Sequence, residues 1–213
     1  MPKKKSTGSA LVPSTTPTFY PIADTTISPT QVYRVPKRHP AGDGPWAREA
    51  DKIAWIDKAT GLSCTILRHR DGSLGGYCGL PETHPLFAFN HDAIPAALSI
   101  CVHGGLDYGQ ACEDGPEETS VCHPSGASRK DHDPLWWFGF RCDRSFDYIP
   151  GRNPRDNDLG AEAGRTYKSE AYVYGQTVKL AHQLKSIENS TGESGVSLDL
   201  APSPPVGLDP ESR

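Results

Sequence analysis

The sequence has no run of about eighteen apolar residues, so no helix spanning a bilayer is expected. Its first twenty residues lack the apolar stretch of a secretory leader. Six cysteines are present, but no C-x-x-C pair, which argues against a closed structural zinc site. Phosphate-binding and catalytic signatures are missing too: there is no G-x-x-x-x-G-K-[ST], G-x-G-x-x-G after a strand, G-x-S-x-G or H-E-x-x-H. No internal repeat is visible. Basic excess is confined to the start. Residues 1–48 hold seven Lys or Arg against two Asp or Glu, a net of +5. The remainder holds 15 against 24, a net of −9, which argues against a nucleic-acid-binding surface. With no leader and no span, the expectation is a cytoplasmic chain, or one shared with the nucleus through Lys3-Lys4-Lys5, with its cysteines as thiols. On that ground a Cys112–Cys122 bridge is not favoured.

What is there is one domain between two tails. Residues 1 to about 30, and those from about 189 onward, are rich in Ser, Thr and Pro and short of apolar runs, the composition of disordered tails. The expected boundaries are a disordered or extended lead-in over 1–44, a single domain over 45–188, and a tail over 189–213.

Within the domain, Pro45 and the stripe Trp46, Ala50, Ile53, Ala54 predict a helix over about 46–59 stopped by Gly61. Cys64–Leu67 and Leu74–Leu80 flank Asp71-Gly72 and predict a hairpin. The three glycines of the second strand, Gly75, Gly76 and Gly79, suggest close approach of another backbone or a ligand. Leu98–His103 alternates as a strand. Residues 109–134 read as a long polar insertion, and Leu135–Phe140 as an aromatic core strand. Tyr167–Ile187 is the best helix, with Val173, Leu180, Leu184 and Ile187 as its seam; Gly175 inside it implies close packing. The fold class is therefore α+β: a small, mainly antiparallel sheet with helices packed on one face.

Ionisable residues gather at two predicted strand ends. His103 precedes Gly104-Gly105 and has the chemistry of a general acid/base. Cys142, Asp143 and Asp147 follow the aromatic strand. As a nucleophile Cys142 needs a neighbour that lowers its pKa; as a buried thiol it is a small apolar residue. Asp143 and Asp147 can orient a histidine, bind a cation or cap the turn before Pro150. Cys101, His103, Cys112, Cys122, His123 and Cys142 supply metal-ligand types, yet their spacing fits no usual site, and a divalent metal cofactor is not favoured.

Four ordered blocks over about residues 45–185 resemble a family of phage, bacterial and fungal proteins. These are a Trp-containing helix followed by Thr60-Gly61-Leu62-Ser63-Cys64-Thr65-Ile66-Leu67-Arg68; Gly76-Tyr77-Cys78-Gly79-Leu80-Pro81 with His84-Pro85-Leu86; Val102-His103-Gly104-Gly105-Leu106-Asp107-Tyr108; and Trp136-Trp137-Phe138-Gly139-Phe140-Arg141-Cys142-Asp143. The resemblance implies no particular activity, but it marks His103, Cys142 and Asp147 as positions that recur. It also marks departures: the family has a His and a Cys where this chain has Ser73 and Gly75, and a His where it has Arg144.

Two readings follow. One is an intracellular hydrolase-type enzyme with His103 as base, Cys142 as nucleophile or buried support, and Asp143 or Asp147 as orienting acid. The other is a non-catalytic module, of the phage-accessory kind, that binds a small molecule or a protein through the Gly-rich strand, exposed aromatics and the 109–134 loop.

Overall fold

The computed structural model describes residues 16–113, 115–122, 134–152 and 164–194. Six strands form one antiparallel sheet: β3 (Pro29–Tyr33), β4 (Lys52–Ile56), β5 (Ser63–Arg68), β6 (Leu74–Leu80), β7 (Tyr108–Ala111) and β8 (Trp136–Arg141), in the order β3-β4-β5-β6-β8-β7. β1 (Tyr20–Ile22) and β2 (Thr25–Ile27) make a small hairpin, and β9 (Asp147–Tyr148) pairs in parallel with β10 (Thr166–Tyr167). Among the described residues one α-helix, α1 (Glu170–Ser194), lies across β5 and β6.

The expected hairpin is β5–β6, with Cys64 opposite Cys78 and Gly72 at φ +92° in its turn. Alternation divides the sheet's side chains. Cys64, Ile66, Cys78, Leu80, Phe138 and Phe140 join Val173, Leu180, Ala181 and Leu184 of α1 in the main core. Leu67, Tyr77 and Trp137 face the other way and form a second cluster with Val121 and Cys122. The close approach expected at the β6 glycines comes from a neighbouring backbone at Gly75, where a Cβ would lie 2.9 Å from the Phe140 carbonyl, and otherwise from side chains. A Cβ on Gly76 would sit 2.1 Å from Thr177 Oγ1 of α1, so this glycine lets the helix reach the sheet.

Several expectations need correction. Residues 46–59 are not a helix: Pro45–Arg48 is a single 3-10 turn and Lys52–Ile56 is β4. Lys52 through Trp55 are buried consecutively, which a strand covered on both faces accommodates and an amphipathic helix does not. Leu98–His103 is not a strand. Ala96–Leu98 is a 3-10 turn, Ser99 sits at φ +52°, and the Gln183 side-chain amide bonds both the N–H (3.0 Å) and the carbonyl (3.2 Å) of Cys101. A helix side chain thus satisfies the backbone that a sheet neighbour would have satisfied.

The described part of the lead-in is structured, and Ile22 and Ile27 are in the core. A buried ionic cluster ties it down. Asp51 accepts from Val35 N (2.7 Å) and Arg68 Nε (2.7 Å) and pairs with His39 (2.9 Å); Arg68 Nη2 reaches Glu49 (2.8 Å). α1 starts three residues late, because Thr166–Tyr167 is β10, and it runs beyond 188 into the expected tail. Its Gly175 is exposed, and a Cβ there would meet nothing within 4 Å, so no close packing occurs at this position. Residues 1–15 and 195–213 lie outside the described residues.

The insertion after residue 108 also differs from expectation. It opens with β7, and Cys112 and Cys122 are disulfide-bonded, with Cα atoms 5.7 Å apart. Lys52 Nζ donates to the carbonyls of Glu117 (2.6 Å) and Cys122 (3.1 Å), and Thr65 Oγ1 to that of Val121 (2.9 Å). The bridged loop is thereby pinned over the second face of the sheet.

Candidate functional site

Two places concentrate polar chemistry. The first contains the residues singled out from the sequence. His103 lies in the turn before β7; its Nε2 is 2.8 Å from Asp147 Oδ2 and its Nδ1 is 3.0 Å from Tyr172 Oη. Asp147 Oδ2 also accepts from Arg144 N at 2.9 Å, which caps the turn into β9, and Lys168 Nζ stands 3.6 Å from Oδ1. His103 and Asp147 are buried. Phe146 and Tyr172 edge the imidazole from outside and remain 53% and 39% exposed. Both ring nitrogens are therefore occupied, and a general base needs one that can reach a substrate proton.

Cys142 is 3% exposed and belongs to the main core. Burial pushes its thiol well above the usual range, reinforced by the carboxylate of Asp147, so it stays protonated. No hydrogen bond joins it to His103 among the described residues. Asp143 is half-buried and pairs with Arg141 at 3.3 Å. Gly104 after His103 makes room for a side chain of the protein itself: a Cβ there, at φ +66°, would fall 2.2 Å from Arg144 Nε, whereas one on Gly105 would meet nothing within 4 Å. Of the expected site residues, the fold joins His103 with Asp147, keeps Cys142 as a core thiol, and sends Asp143 to an arginine. Cys101 is exposed, and His123 lies outside the described residues. Among the described residues no three His, Cys, Asp or Glu side chains gather to hold a metal. No helix there is long and apolar enough to cross a membrane.

The second place is a cleft of about 380 Å³ between the sheet and the disulfide-closed loop. Leu67, His69, Tyr77 and Arg141 form its floor and Val121 its roof, with Arg38, Asp107, Tyr108 and Glu113 around them. Tyr77 lies across β6 and β8 because Gly139 and Gly75 leave space. A Cβ on Gly139 would meet Tyr77 Cδ1 at 2.2 Å, and one on Gly75 would meet Tyr77 Oη at 2.8 Å. Tyr77 Oη contacts His69 Nε2 at 2.7 Å, and the ring packs edge-on against Tyr108. Burial and the Arg141 charge hold the His69 pKa down to about 3, so this imidazole is neutral near pH 7.

Arg141 Nη2 reaches Asp71 (3.2 Å) and Ser73 (3.4 Å). Asp107 Oδ2 accepts from Arg144 Nη2 (2.9 Å) and Arg141 N (3.2 Å), while burial raises the Asp107 pKa. Asp107 Oδ1 and Arg141 Nε are shielded from solvent and have no hydrogen-bond partner among the described residues. Ser73, Gly75 and Arg144 all touch residues of this cleft.

Sequence reasoning passed over His69, Arg141 and Asp107. The available signal was the alternation of glycines with large rings, Gly75-x-Tyr77-x-Gly79 facing Trp137-x-Gly139, which clears a lane across one face. No protein-family model, curated protein or solved structure matches this chain.

Proposed function

We propose that this protein is a non-catalytic module that binds a small polar molecule in the cleft under the Cys112–Cys122 loop. The observation that carries this reading is the pair of unpartnered buried atoms in residues of the cleft lining, the acceptor Asp107 Oδ1 and the donor Arg141 Nε. Buried polar groups left unpaired are costly, so each calls for a partner. Both atoms are shielded in the free protein while their side chains are part-exposed, so a small rotation of Asp107 and Arg141 turns them toward the cleft, where a ligand offering both a donor and an acceptor, as an amide or an amino acid does, answers both. The opposed charges of Arg38 and Arg141 against Asp107 and Glu113 suit such a ligand better than a simple anion. The disulfide also favours an oxidising setting over the cytosol or nucleus.

The test is thermal unfolding with each of the twenty amino acids and their amides. At least one should raise the Tm of the native protein and raise it less in Asp107→Asn. If none does, or if the shift is equal in the variant, the proposal fails.

A second reading keeps chemistry at His103. Its support is the line Asp147–His103–Tyr172, which ends in a hydroxyl near the surface. There Asp147 orients the ring and Nδ1 takes the phenol proton. Turnover in an ester-hydrolysis panel, lost in both His103→Ala and Tyr172→Phe, would move the functional centre to that line.

A further inference from the structure

Beyond the cleft, on the far side of Arg38, lies a larger recess of about 630 Å³ whose lining includes Lys37, Arg38, Arg70, Arg152, Gly72 and Gly151. We infer that this recess is an oxyanion site, built to hold inorganic phosphate or the phosphoryl group of a small molecule. The lining contains four Lys or Arg side chains and, among the described residues, no carboxylate. Asp51 is committed to Arg68, His39 and Val35 N, and Asp71 to Ser73 and Arg141; outside the lining, Glu118 acts on Arg38 and Asp43 follows Gly42.

Lys37 and Arg70 are exposed and make no ion pair or hydrogen bond among the described residues. Arg38 is half-buried and spends Nη1 on the carbonyl of Arg68 at 2.9 Å. Burial lowers its proton affinity, and the like charge of Arg70 lowers it further, so the two cations stand close enough to repel. Lys37 and Arg70 thus add positive charge beside Arg38 without a counterion of their own, and a bound anion removes that cost. The guanidinium fork matches the geometry of phosphate.

The base of the recess is backbone. The β5–β6 turn meets the segment after β9 so closely that a Cβ on Gly72 would lie 2.8 Å from Gly151 N, and one on Gly151 would lie 2.2 Å from Asp71 O. A closely packed backbone base with exposed cations at the rim suits a compact anion. The concave shape and the −9 balance after residue 48 favour a small molecule over a nucleic-acid backbone.

The experiment is calorimetric titration of the full chain with inorganic phosphate and with pyrophosphate, against sodium chloride at matched ionic strength. Saturable binding is expected. Affinity should fall at least about tenfold in the double variant Lys37→Ala, Arg70→Ala, which changes only exposed side chains, and stay within about twofold in Arg48→Ala, an exposed cation outside the recess. Amide resonances of Gly72 and Gly151 should shift on saturation. No saturable binding, equal binding in the double variant, an equal loss in Arg48→Ala, or shifts elsewhere each overturn the inference.

Discussion

His103 and His69 sit in opposite circumstances. His103 is held at both nitrogens, by Asp147 and Tyr172, beneath two aromatic rings. His69 is held by Tyr77 and lines an open cleft. A buried atom without a hydrogen-bond partner among the described residues occurs at both places, Asp147 Oδ1 at the first and Asp107 Oδ1 and Arg141 Nε at the second, and those of the second belong to residues that line a cavity. The first arrangement has the form of a brace joining the turn before β7, the turn into β9 and the start of α1. The second has the form of a receptor. A histidine near an aspartate is thus a poor guide to function until the fate of both ring nitrogens is known.

The largest effect expected from breaking this comparison is at Asp147. Removing it strands His103, Arg144 N and Lys168 around a buried gap. Asp147→Ala should lose about 3–5 kcal/mol in urea unfolding, the cost typical of breaking a buried pair. A loss below about 1 kcal/mol would deny it the role of a brace.

Cleft integrity depends instead on the disulfide. Cys122→Ser should lose about 2–3 kcal/mol, as expected for a short closed loop, and should weaken any ligand found by the thermal screen. The Asp147 variant, measured where it remains folded, should keep its ligand response.

A pH titration sharpens the contrast at His69. Its folded pKa of about 3 lies below the ordinary 6.5, so the unfolded chain takes up the proton first. Stability from this residue is full above pH 6.5, is lost as pH falls toward 3, and levels off below that. His69→Gln should flatten that part of the stability curve, read by chemical denaturation in steps from about pH 7 to about pH 4. The smallest effect belongs to a site outside both regions. Gly175→Ala, in an exposed and open part of α1, should stabilise by about 0.5–1 kcal/mol and leave ligand response unchanged.

The parts legible in the sequence were those set by local chemistry. Asp71-Gly72 announced the β5–β6 turn, the Trp136–Phe140 run announced an interior strand, and Val173, Leu180, Leu184 and Ile187 announced the helix face. Segment 46–59 misleads because Trp46, Ala50, Ile53 and Ala54 fit a helical stripe while 52–55 also fit a doubly covered strand. Segment 98–103 misleads because Gln183, 82 residues from Cys101 in sequence, supplies its hydrogen bonds. The ordered lead-in rests on Asp51 and Arg68, whose burial no composition reveals. For the sites, the sequence pointed to His103 and Asp147 as a pair of interest. The cleft needed the sheet order, since Tyr77, Tyr108 and Arg141 meet only when β6, β7 and β8 lie side by side.

A crystallographic fragment screen with small amides and amino acids tests the receptor role of the cleft most directly. Ligand density is expected between the Tyr77 ring and Val121, within hydrogen-bond distance of Asp107 Oδ1 or Arg141 Nε. Density confined to the surface over His103, Phe146 and Tyr172, with the cleft empty, would contradict that role.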